Sequence, residues 1–85
     1  MKWMRARTDF YKFVKPGMMI RFWGQDYDTW YITAVGEARK EDCIVFVDML
    51  NVTNRTECLR YPLYCSERRY TYSRSDPIPK LEDML

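Results

Sequence analysis

Three groupings in this chain have residue types that chemistry uses. Asp26 and Asp28 stand two apart in a turn, and Glu41-Asp42 open an apolar run. Either pair of carboxylates has the composition to hold a magnesium ion or share a proton. Cys65 sits among Tyr64, Glu67, Arg68 and Arg69, where guanidinium charge favours a thiolate. Each grouping lacks a partner. The 85 residues include no histidine, which excludes serine–histidine and cysteine–histidine pairs and histidine zinc ligands. The acid pairs have no third ligand or base within evident reach. Cys43, Cys58 and Cys65 are odd in number and lack CxxC spacing, so they frame neither a closed disulfide set nor a zinc knuckle and read as buried thiols. The expectation is a chain that is not an enzyme and takes no cofactor or metal.

Contact chemistry is better represented. Three Trp, seven Tyr, six Met and nine Arg are types that enrich interface cores, and so short a chain cannot cover all of them. Trp3, Tyr27, Tyr64 and Tyr70 are the expected anchors, with Arg68 and Arg69 as forks for carboxylates. The net charge of +2 conceals blocks of opposite sign: +4 over residues 1–16, −3 over 17–54, +3 over 55–75 and −2 over 76–85. If the two positive blocks meet, Lys2, Arg5, Arg7, Lys12, Arg68, Arg69 and Arg74 form a basic face. With Trp3, Tyr11, Tyr70 and Tyr72 on it, that face suits phosphate contacts and base stacking. Acidic Asp26, Asp28, Glu41 and Asp42 oppose that reading on the loop side.

Short strands must position these residues. Pro16-Gly17 opens a strand over 18–23 with Ile20 and Phe22 on one face. A second runs over 29–35, with Trp30/Ile32/Ala34 and Tyr31/Thr33/Val35 as alternative faces, followed by a charged loop from Gly36 to Asp42. Residues 43–50 are nearly continuous Ile, Val and Phe, as in a strand covered on both sides. A fourth strand over 56–61 ends at Pro62, and a fifth spans 68–73. The Asn51-Val52-Thr53 and Asn54-Arg55-Thr56 sequons read as turn chemistry. The arm, residues 1–16, fits a short helix or an extra strand equally well. The tail, 76–85, is extended by Pro77 and Pro79 and either docks or hangs free. The sequence has no apolar run of signal-peptide length and none of the roughly 20 residues a membrane span needs, which makes the expected location cytoplasmic, with no membrane partner.

The run Met19-Ile20-Arg21-Phe22-Trp23-Gly24-Gln25-Asp26, then Trp30-Tyr31-Ile32-Thr33-Ala34-Val35, then Cys43-Ile44-Val45-Phe46-Val47-Asp48, with Asn51 and Leu59-Arg60 after it, resembles a Tudor domain over residues 17–63. That resemblance implies an SH3-like five-stranded barrel and an aromatic cage for methylated lysine or arginine. Trp23 and Tyr31 stand at two cage positions; Val47 and Met49-Leu50 replace the other cage aromatics, and Asn51 matches the family's asparagine. The expected architecture is therefore all-β: a basic aromatic arm (1–16), a five-stranded Tudor-like barrel (17–75) and an acidic tail (76–85). The leading function is stoichiometric protein–protein recognition, of the kind a small phage-type inhibitor or adaptor of a larger host complex performs. Nucleic-acid binding is second and methyl-lysine or methyl-arginine reading third. Self-association stays open.

Overall fold

The computed structural model describes residues 3–24, 28–67, 69–73 and 82. Lys2, Asp26, Tyr27, Arg68, Arg74 and all of the tail except Glu82 lie outside the described residues. The fold is all-β, with six strands where five were expected. They are β1 (Trp3–Arg5), β2 (Met19–Phe22), β3 (Thr29–Arg39), β4 (Ile44–Asn51), β5 (Glu57–Tyr64) and β6 (Tyr70–Ser73). They form one antiparallel sheet in the order β1-β6-β2-β3-β4-β5. No hydrogen-bonded pairing joins its two edges among the described residues, so the sheet is not closed. No helix among them is long and apolar enough to cross a membrane.

The arm is both of the things its sequence allowed. Trp3–Arg5 is an edge strand on β6, with Met4 opposite Tyr72. Phe10–Lys12 is a 3-10 turn, held by Phe10 N–H to the Arg7 carbonyl at 3.1 Å and Lys12 N–H to the Asp9 carbonyl at 2.9 Å. Asp9 stands at the cap position without capping the turn, because its carboxylate is taken by Arg7 through two 2.9 Å hydrogen bonds. The turn drives Phe10 into the core, where its ring lies 4.7 Å from Tyr72, 5.7 Å from Tyr70 and 5.3 Å from Phe13. Lys15-Pro16-Gly17-Met18 then closes a type II turn: Met18 N–H reaches the Lys15 carbonyl at 3.3 Å and Gly17 takes φ 97°. Proline at the second position and glycine at the third are what that turn requires.

Two bulges explain why neither simple alternation fits β3. Ile32 pairs with Met49 but Ala34 with Asp48, leaving Thr33 extra; Val35 pairs with Val47 but Ala38 with Val45, leaving Gly36-Glu37 against Phe46. The core face of β3 is consequently Trp30, Ile32 and Val35, drawn from both sequence alternations. At Gly36 the strands come close, and a Cβ there would sit 3.3 Å from the Phe46 carbonyl oxygen. The charged segment expected as a loop from Gly36 continues as strand to Arg39, with its residues exposed on an extension of the sheet. β4 sends Val45, Val47 and Met49 inward. Its outer face carries Phe46, covered by the guanidinium groups of Arg39 and Arg60 at 5.5 and 5.7 Å rather than by a second layer.

β5 runs through Pro62, which was expected to end it. The strand lies at the sheet edge, where a missing N–H costs no ladder bond. A third bulge falls at Leu59-Arg60: Arg60 has φ 51°, and its N–H donates to Asp48 Oδ1 at 2.9 Å. Bulge and proline together blunt this edge against pairing with another chain. At the far end, Asn51 confirms the turn reading of its sequon. Its Oδ1 accepts from Thr53 N–H at 2.9 Å and Asn54 N–H at 3.2 Å, and its Nδ2 donates to Asp28 Oδ2 at 3.1 Å.

Candidate functional site: two clefts about Trp23

Trp23 follows the last ladder residue of β2 and precedes Gly24, which turns the chain at φ 82°. Its N–H still donates to the Arg69 carbonyl at 2.8 Å, which fixes the backbone against the lead-in to β6. The side chain does not follow Phe22 inward. It is 70% exposed, the most exposed large apolar residue among those described.

A cleft lies on each side of it. The first, about 670 Å³, is walled by Arg5, Arg7, Thr8 and Asp9 of the arm, by Ser66 and by Thr71, with Cys65 and Tyr70 at its base. The second, about 240 Å³, lies between β5 and the β2–β6 pair and contains Phe22, Tyr61, Pro62, Tyr64, Glu67 and Arg69. Phe22 and Tyr61 meet across it with ring centroids 5.6 Å apart, although β2 and β5 are not neighbours in the sheet. The sheet therefore curls, and the second cleft is the seam between its approaching sides. Trp23 and Tyr70 line both clefts, Trp23 as the ridge and Tyr70 as the buried floor.

The expected contact residues divide sharply. Trp23, Tyr64 and Arg69 converge on the second cleft with their side chains exposed, Tyr64 at 45%. Tyr70 was expected as an exposed anchor but is 2% exposed; its hydroxyl donates to the Arg7 carbonyl at 3.3 Å and burial raises its pKa. Tyr72, expected to stack on bases, is fully buried among Phe10 and Phe13. Trp3 is half-buried beneath the Arg21 guanidinium, 4.2 Å from the ring centroid. Tyr31 is buried in a row with Met19 and Leu50 and lines neither cleft; burial, and then the charge of Glu82, raise its hydroxyl pKa. The register puts Met19, not Trp23, opposite Tyr31. Four residues, about 13 Å of extended backbone, separate Met19 from Trp23.

Of the expected basic face, Arg5 and Arg7 reach the first cleft and Arg69 the second, while Lys12 is exposed on the 3-10 turn and lines neither. Arg7 is closed off by Asp9, whose hydrogen bonds and charge raise the guanidinium pKa further. Arg5 and Arg69 form no ion pair among the described residues. Sequence reasoning missed Tyr61 and Pro62 as cleft residues. Their signal was Pro62 itself, which marks an edge strand as readily as a strand end.

The groupings that suggested catalysis are held otherwise. Asp28 accepts from Asn51, and Glu41 and Asp42 are exposed in a turn. No group of three or more Cys, Asp or Glu is placed to hold a metal among the described residues. The Cys65 thiol is 1% exposed, and burial raises its pKa, the reverse of what a nucleophile needs. Less thiolate and less access both slow alkylation. Iodoacetamide at pH 8 is therefore expected to modify half-buried Cys43 and Cys58 in the native protein while Cys65 reacts only after denaturation, as peptide mass mapping would read directly. No family model matches the chain, and neither a curated protein nor a solved structure matches it.

Proposed function

We propose that this chain is a protein-binding module, curled as a small SH3-like barrel, that receives a segment of its partner in the clefts about Trp23. One observation carries the reading: a 70% exposed tryptophan stands between two clefts that also present Tyr64 and Arg69. A buried tryptophan stabilises its own fold; an exposed one on a ridge offers a large apolar contact to something else. Support for the barrel comes from the topology. Strands β2 to β5 form a meander, β6 returns beside β2, and the Phe22–Tyr61 contact draws the sheet around.

The two other readings draw less support. Base stacking relied on Tyr70 and Tyr72, and both are core residues. A cage relied on Trp23 and Tyr31 acting together, and they line no common cleft. The test is capture of partners from lysate of the source cells, with and without nuclease, using the wild type, Trp23→Ala and Leu59→Ala. Leu59 is 68% exposed and lines neither cleft, so it controls for general stickiness. The expected result is a protein retained by the wild type and Leu59→Ala and lost from Trp23→Ala. Equal retention by all three, or retention that vanishes with nuclease, would rule the reading out.

A further inference from the structure

We infer that the partner segment is extended and acidic, with carboxylates two to four residues apart beside an apolar side chain that rests on Trp23. This deepens the reading above and rests on it. Among the described arginines, Arg7 is paired with Asp9, Arg21 covers Trp3, and Arg39 and Arg60 cover Phe46. Arg55 lies in the turn after β4, away from both clefts. Arg5 and Arg69 differ from all of these: each is exposed, each lines a cleft, and neither has an ion-pair partner among the described residues. Trp23 lines both clefts, and because β6 lies between β1 and β2, Arg69 is its direct neighbour and Arg5 stands one strand beyond. Arg5 pairs with Thr71 of β6, two residues past Arg69, so the two backbones are roughly 8 Å apart by strand geometry. Carboxylates two to four residues apart on an extended segment span about 7–14 Å, which the two long side chains can meet. Guanidinium forks recognise carboxylates with two parallel hydrogen bonds, and the exposed tryptophan beside them selects an apolar neighbour.

A phosphate backbone fits this arrangement less well. Glu67 lines the second cleft beside Arg69, so a continuous run of negative charge meets repulsion there that two spaced carboxylates avoid.

The probes are three fluorescent sets of nonapeptides with a Leu-Pro-Leu centre flanked by Asp/Glu, by Asn/Gln or by Lys/Arg, and a thymidine decanucleotide. Each is titrated by anisotropy at low and moderate salt against the wild type, Trp23→Ala and Arg5→Glu/Arg69→Glu, all checked for unchanged melting. The expected result is that the acidic set binds the wild type at least about tenfold more tightly than the amide set. That advantage falls with salt and passes to the Lys/Arg set in the doubly reversed variant. If acidic and amide sets bind equally and Trp23→Ala abolishes both, the acidic specificity is overturned while the Trp23 reading stands. Tighter binding of the decanucleotide through Arg5 and Arg69, or no binding by any peptide, overturns the inference as well, and the capture experiment then decides the Trp23 reading separately.

Discussion

Phe10→Ala is expected to destabilise the protein by about 4 kcal/mol, the range for a buried phenylalanine truncated to alanine. Phe10 belongs to the arm, yet it is 0% exposed and its ring meets Phe13, Tyr70 and Tyr72. Truncation leaves a void under β6 that the neighbouring tyrosines cannot fill, because both are fixed in the ladder opposite β2. A domain of 85 residues has roughly 4–13 kcal/mol of total stability. The variant should therefore be marginal, with a Tm lower by roughly 15–30 °C. The void also undercuts both clefts, since Tyr70, which forms their floor, packs on Phe10. Chemical denaturation gives the number directly; a loss below about 1 kcal/mol would mean that the arm is an appendage.

Asn51→Ala is expected to cost about 2–4 kcal/mol, from three side-chain hydrogen bonds at about 1 kcal/mol each and the polar groups left without partners. Asn51 is 1% exposed. Its side chain folds the turn after β4 by accepting from Thr53 and Asn54, and it ties that turn to Asp28, where the chain enters β3 after Trp23 and Gly24. One residue thus joins the β4–β5 turn to the connection that leaves Trp23. Hydrogen exchange separates the two effects: the Thr53 and Asn54 amides should lose protection at once, beyond the change set by global stability. Unchanged protection at both amides would show that the backbone holds this turn alone.

Much of the sheet was legible because period-two patterning is strong where one face is buried. Ile20 and Phe22 in β2, and the apolar run of β4, announced themselves. The errors share a physical origin in bulges and edges. Thr33 and Gly36-Glu37 each reset the alternation of β3, so no single face could be read. Glu37–Arg39 are exposed and show no alternation of apolar and polar residues to mark them as strand. Pro62 looked like a stop because its tolerance at an edge depends on strand order, which is a tertiary fact.

The site was half legible for a related reason. The segment Arg69-Tyr70-Thr71-Tyr72-Ser73 alternates tyrosines with polar residues, which says that the tyrosines share a face but not that the face is inward. Phe10 decides it, by packing from the arm onto both rings. Once the tyrosines are inside, Arg69 is left at the surface beside Trp23, and the basic face expected for nucleic acid shrinks to separate arginines in two clefts. Trp23 was expected at a contact position, but its standing apart from Tyr31 was not legible. Its exposure depends on Gly24 turning the chain immediately after β2, before the tryptophan can join a strand.

The central claim is that Trp23 serves contact rather than core, and its most direct test is one paired measurement on Trp23→Ala: thermal melting, and the affinity for the purified partner recovered by capture. The account predicts a Tm within about 2 °C of the wild type, as for surface substitutions generally, with affinity reduced at least about tenfold, as for a central tryptophan at an interface. A variant that melts many degrees lower, or that binds the partner as tightly as the wild type, would contradict it.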